Sequence, residues 1–127
     1  KKLADAIVNG IESEGVEALL RTVPDVSTNI DDKASAVPAS GAPYVTLDEL
    51  SACDGLALGS PTHFGNMSGA MKFFWDSTSG LWLKGSLINK PACTFTSSSS
   101  LHGGQETTLI SMMMPLIHHG RVYIGVP

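Results

Sequence analysis

The chain has 127 residues, 43% of them apolar and only 16% charged, which allows one domain with a sizeable core and excludes a disordered chain. A net charge of −4 argues against a general nucleic-acid binder, and no apolar run approaches the ~18 residues of a membrane helix. Two cysteines, Cys53 and Cys93, are too few for a disulfide scaffold and suit a reducing compartment, so a cytoplasmic location is expected.

Leu3, Ile7 and Ile11 recur at four-residue spacing and predict an amphipathic helix over residues 1–14, stopped by Gly15. Residues 16–23 read as a strand ended by Pro24, followed by a loop over 24–44. Thr46 and Glu49 form a capping box that opens a short helix to Ala52. A second strand over 54–60 holds Leu56-Ala57-Leu58, and a loop from Ser60 to Asn66 follows it. Ser68 caps a helix over 69–77 with Met71, Phe74 and Trp75 inward, and residues 78–90 read as a loop. The third strand covers 91–96, with Pro91 at its first position. A Ser/Gly loop runs from Ser97 to Gly104. The last helix covers 105–119, with Leu109, Met112, Met113 and Leu116 as its apolar face and Pro115 expected to kink or weaken its end. Residues 121–126 are the fourth strand.

Strict alternation of helix and short apolar strand predicts an α/β domain: an open parallel sheet covered by helices on both faces. In such sheets ligands bind beyond the carboxyl ends of the strands. The loops Ser60–Asn66 and Ser97–Gly104 occupy two such ends. Both are rich in hydroxyls, Gly and His, and both lead into a helix start, where backbone N–H groups favour anionic or polar ligands. Ordinary turn chemistry explains either loop taken alone.

Charge is distributed in the same sense. Residues 1–54 carry a net −6 and residues 55–127 a net +2, with all four histidines in the second part. That half suits an anionic ligand, although burial of its strands excludes acids too. No metal site is expected, since Cys53, Cys93 and the histidines lack ligand spacing and His118 and His119 point about 100° apart on a helix. There is no Gly-x-Ser-x-Gly elbow, no Walker loop and no Gly-x-Gly-x-x-Gly fingerprint.

Read as strings, four segments resemble one family. They are Gly59-Ser60-Pro61-Thr62-His63-Phe64-Gly65-Asn66-Met67, then Gly80-Leu81-Trp82, then Phe95-Thr96-Ser97 running to His102-Gly103-Gly104-Gln105-Glu106-Thr107-Thr108, then His118-His119-Gly120 with Ile124-Gly125-Val126-Pro127 behind it. In this order they are similar to WrbA-type NAD(P)H:quinone oxidoreductases, over essentially the whole chain. The resemblance implies a flavodoxin-like single domain over 1–127 that binds FMN. It implies NAD(P)H as co-substrate, two-electron reduction of a quinone, and a homotetramer.

Carried over by position, Thr62, His63 and Phe64 match the family's first flavin-contacting loop. Ser97, Ser98, Ser99, Ser100, Leu101, His102 and Gly103 match its second. His118 matches the histidine near the flavin, and Trp82 the aromatic face for the quinone. His63 departs from the family's usual Arg and cannot make the same forked, permanently charged contact. The serine run 97–100 replaces a Thr-Gly-Thr type of loop. The family places a strand and a phosphate-binding loop before the first helix and continues beyond Pro127, so a fragment lacking the first, central strand and the C-terminal part is expected. The alternatives are a non-enzymatic flavodoxin-like electron carrier and an interaction protein that has lost its cofactor.

Overall fold

A computed structural model of the chain describes residues 1–27 and 37–125. It divides into two units, Lys1–Val45 and Thr46–Pro127.

In the first unit, α1 spans Lys2–Ser13 and none of its residues is buried. It ends at Gly15, whose φ of +77° is open to glycine at little cost. The strand expected over 16–23 does not form. Among the described residues only Thr22 of this stretch pairs, in a parallel bridge to Tyr44: Thr22 N–H donates to the Pro43 carbonyl and Val45 N–H to the Thr22 carbonyl. A strand needs a hydrogen-bonding neighbour along its length. Here Val16 and Leu19 stay exposed, so local β-propensity has nothing to pack against. Part of the loop expected over 24–44, residues 28–36, lies outside the described residues.

The second unit holds α2 (Leu47–Ala52), β1 (Leu56–Pro61), α3 (Gly69–Asp76), α4 (Ser79–Leu83), β2 (Pro91–Ser97), α5 (Gln105–His118) and β3 (Val122–Tyr123). The three strands form an open parallel sheet in the order β1-β2-β3, flanked by helices. The sequence predicts four strands. Three form among the described residues, and the last is shorter than expected. Ile124 N–H still donates to the Ala92 carbonyl at 2.8 Å, while Val126 and Pro127 lie outside the described residues. Among the described residues β1 pairs only with β2.

Local chemistry sets the helix ends. Thr46 and Glu49 make the reciprocal capping box, and the Ser68 hydroxyl accepts from Met71 N–H. Pro115 does not stop α5, which runs on to His118. Its end is a Schellman motif: Gly120 N–H donates to the Ile117 carbonyl and Arg121 N–H to the Leu116 carbonyl, with Gly120 at φ +73°. The sequence predicts a loop over 78–90, but α4 forms there; Gly80 and a start without a side-chain cap give it a weak helix signal. It ends in the same motif, with Gly85 N–H on the Trp82 carbonyl and Ser86 N–H on the Leu81 carbonyl.

Leu50, Leu58, Met67, Trp75, Leu87, Ala92, Met112 and Leu116 are buried and form the core. Gly59 lies opposite Phe95 in the β1–β2 register. A Cβ at Gly59 would fall 2.2 Å from the Phe95 ring, so only glycine admits that aromatic.

Candidate functional site at the strand ends

β1 and β2 are neighbours, so their carboxyl ends bring the first and second loops side by side. Residues His63 to Asn66 form a tight turn, with His63 N–H on the Asn66 carbonyl and Asn66 N–H on the His63 carbonyl. Phe64 and Gly65 both have positive φ, +51° and +76°, which is the type I′ geometry. Glycine takes that conformation freely. A phenylalanine takes it at a cost of about 1–2 kcal/mol. Phe64 is moreover fully exposed. Strain and exposure in one aromatic residue point to a functional position.

The second loop packs on this turn. Gly104, at φ +92°, approaches so closely that a Cβ there would lie 2.9 Å from the Gly65 Cα. Thr62 N–H donates to the Ser97 carbonyl at 3.3 Å. The hydroxyls order themselves by elimination. Thr96 donates to the Ser60 carbonyl at 2.7 Å, so the 3.2 Å contact between Thr62 and Thr96 is a donation from Thr62. The Ser60 hydroxyl accepts from Ser68 N–H. These hydroxyls tie strand to strand. Ser98 closes its own loop by donating to the Ser100 carbonyl.

What stays open is backbone. The N–H groups of residues 98–102 donate to no protein acceptor among the described residues. His102 adopts positive φ (+54°), and Leu101 is 92% exposed. The side chains of His63 and His102 are exposed as well. Gly103 leaves room for the Ser98 and Ser100 hydroxyls, which a Cβ would meet at 2.9 and 2.6 Å. The two strand-end loops therefore offer amide donors without protein acceptors together with two exposed apolar side chains, Phe64 and Leu101. That combination fits a flat, partly polar ring system such as an isoalloxazine.

Trp82 and His118 form a second cluster. The Trp82 indole N–H donates to the His118 carbonyl at 2.9 Å. Beside them lies an open cleft of about 300 Å3, whose walls include Trp75, Thr78, Trp82, Pro115, His118 and His119. His119 is buried, and its Nε2 lies 2.8 Å from the Thr78 hydroxyl. Burial, then Arg121, then His118 hold its pKa below the ordinary histidine value. The two clusters are not brought together within the chain. They occupy opposite ends of α5, separated by about 20 Å of helix at 1.5 Å per residue. Sequence reasoning singled out His118 and Trp82 but not Thr78 or His119, whose partnership spans 41 residues.

Among the described residues no group of three or more His, Cys, Asp or Glu side chains could hold a metal ion, and no helix is long and apolar enough to cross a membrane.

The sequence pattern of the NADPH-dependent FMN reductase family matches residues 1–125. A protein named NAD(P)H dehydrogenase (quinone) from Geotalea daltonii is 48% identical over 99% of this chain and 64% of its own length. One of the same name from Geobacter sulfurreducens is 45% identical over 99% of this chain and 65% of its own. The chain thus spans just under two thirds of the length of these relatives. A solved structure, described as a flavodoxin, WrbA-like protein from Agrobacterium tumefaciens, superposes with a TM-score of 0.59 at 30% identity, covering 69% of this chain and 57% of that one. Over residues 1–125 the sequence pattern is that of one family, and the parallel sheet agrees with it: the chain belongs to the NADPH-dependent FMN reductase family.

Proposed function

We propose that the protein is an FMN-dependent NAD(P)H:quinone oxidoreductase acting in the cytoplasm. The observation that carries this reading is the packing of two loops at adjacent parallel strand ends, Gly104 against Gly65, with the amides of 98–102 free of protein acceptors among the described residues and Phe64 strained and exposed. The names of the relatives from Geotalea and Geobacter support it.

When bound, FMN supplies two-electron transfer between a nicotinamide and a quinone. The chain's residues supply position and electrostatics. The amides of Ser98 to His102, which have no protein acceptor among the described residues, would hold the polar part of the ring and would stabilise negative charge there. Phe64 and Leu101, both exposed, would cover apolar ring surface and exclude water. Ser97, Ser99, Ser100 and Gly103 shape the loop. Thr62 presents only its lone pairs, because its proton is used on Thr96. His63 is the exposed side chain at the start of the turn.

Trp82 is 54% exposed and gives a flat quinone a stacking face, with His118 beside it. Because the clusters lie at opposite ends of α5, a flavin and quinone that engage both do so across a contact between two copies. The exposed stripe Ile110, Met114 and Ile117 on α5 favours such assembly, and we read the oligomer as a homotetramer. A stripe at 3-4 spacing suits a helix-to-helix contact better than solvent.

Steady-state oxidation of NADH by benzoquinone in the full-length, FMN-loaded protein tests the reading. Trp82→Ala is expected to raise the quinone KM severalfold and leave FMN affinity unchanged. Unchanged quinone kinetics would remove Trp82 as the platform, and absence of quinone-dependent NADH oxidation would remove the enzyme reading.

A further inference from the structure

We infer that His119 is a positioning residue for the Trp82 indole, acting through Thr78. The geometry is a closed circuit. The Trp82 indole N–H donates to the His118 carbonyl at 2.9 Å. The next residue along, His119, reaches the Thr78 hydroxyl at 2.8 Å. The Thr78 carbonyl accepts the backbone N–H of Trp82 at 3.1 Å and that of Leu81 at 2.9 Å, which starts α4. Backbone and side chain of Trp82 are therefore both fastened to the end of α5, one through Thr78 and one directly.

The proton positions follow from the partners. The Thr78 hydroxyl proton goes to the Trp75 carbonyl at 2.7 Å. The Thr78 oxygen then accepts, and His119 Nε2 is the donor. His119 is thus the Nε2–H tautomer, with Nδ1 buried and without a partner. Leaving an imidazole nitrogen unsatisfied in the interior costs stability, so a purely apolar residue would serve packing better at this point. Thr78 is 1% exposed and His119 8%, so water does not compete for their bond. The exposed indole gains no such protection from packing. Its bond to the His118 carbonyl keeps its geometry while the end of α5 holds its place against α4; the Asn89 N–H on the Gly120 carbonyl and the Trp75 ring beside His119 hold that end generally, and the His119–Thr78 bond is the one that ties it to the residue starting α4. A side chain that meets a substrate needs support of this kind, since looseness of about 1 Å at a binding face costs rate and affinity.

The inference rests on the reading of Trp82 as the quinone face for its functional meaning, but its structural core is measurable alone. The assay is hydrogen exchange of the Trp82 indole N–H by 15N NMR on the full-length protein, with the indole resonance assigned by Trp82→Phe and backbone amides of β2 as the control. His119→Leu and Thr78→Val remove the bond from its two sides. Each is expected to speed Trp82 indole exchange severalfold to about tenfold, the worth of one hydrogen bond, with β2 amides unchanged. His119→Gln, whose amide can donate to Thr78, is expected to restore the native rate. Combining His119→Leu with Thr78→Val should add nothing to either alone. Unchanged indole exchange in both single variants overturns the inference. So does an increase matched by the β2 amides, which marks general loosening. The quinone reading fails separately: if the indole loosens and the quinone KM stays native, His119 positions Trp82 and Trp82 is not the quinone face.

Discussion

Gly104→Ala probes the joint between the two loops. Gly104 sits at φ +92°, where an L-residue loses about 1–2 kcal/mol. Its new Cβ would meet the Gly65 Cα at 2.9 Å, the Gly65 N at 3.3 Å and the Thr62 Cγ2 at 3.5 Å. Two of these atoms are backbone and cannot swing aside, so the loops must part by several tenths of an ångström. Overpacking of that kind costs about 1–3 kcal/mol. Reduced freedom of the unfolded chain returns about 0.4–1 kcal/mol. The net expectation is a loss of about 1–4.5 kcal/mol in urea unfolding, with the m-value unchanged. FMN affinity, read by quenching of flavin fluorescence, should fall with it because the donor row moves away from Phe64. Gly80→Ala, in the same unit, is the contrast. No atom lies within 4 Å of its added Cβ and it sits inside α4, so it should be neutral or stabilising by up to about 1 kcal/mol. If Gly104→Ala unfolds at the native urea midpoint and binds FMN natively, the joint between the loops is not what the geometry implies.

Further expectations follow from the same structure. Gly59→Ala should lower the urea midpoint strongly by driving Phe95 off the sheet, and Gly59→Ala with Phe95→Ala should recover part of the loss in the same assay. Leu87→Ala empties a fully buried position and should cost about 2–5 kcal/mol, whereas Lys72→Ala, which removes an exposed pair with Asp76, should cost less than about 0.5 kcal/mol. His119 has a folded pKa below its unfolded one, because burial first, then Arg121 and His118, disfavour its charged form. Unfolded chains therefore take up a proton that the folded protein resists. Its contribution is present in full above the unfolded value of about 6.5 and is lost as pH falls toward the folded value. Urea midpoints of the native protein should fall between about pH 7.5 and pH 5 more steeply than those of His119→Gln; parallel profiles would contradict the assignment.

Much of the fold was legible because its signals are local. The capping box at Thr46 and Glu49, the Ser68 cap, Pro91 opening β2 and Gly120 ending α5 each act within a few residues, and each appears where expected. The strand over 16–23 failed for the complementary reason. Val16 and Leu19 carry β-propensity, but a strand is completed by a neighbour that local sequence does not encode, and among the described residues only Tyr44 comes alongside Thr22. α4 hid behind Gly80, although Lys84-Gly85 was a usable stop signal, as the Schellman bonds at Gly85 show. The candidate site divides in the same way. Loop composition points to Ser60–Asn66 and Ser97–Gly104, and the family resemblance narrows these to 62–64 and 97–103, while the strained φ of Phe64 and the closeness of Gly104 to Gly65 are visible only in three dimensions. The 20 Å between the loops and the Trp82–His118 cluster follows from the length of α5 and was readable once that helix was drawn.

Titration of the full-length apoprotein with FMN, followed by flavin fluorescence and visible absorbance, tests the central claim most directly. Saturable binding of one flavin per chain, weakened by Gly104→Ala and by Phe64→Ala but not by Lys72→Ala, is the predicted result. A protein that stays colourless with excess FMN, or that binds it with the same affinity in all three variants, would contradict the account.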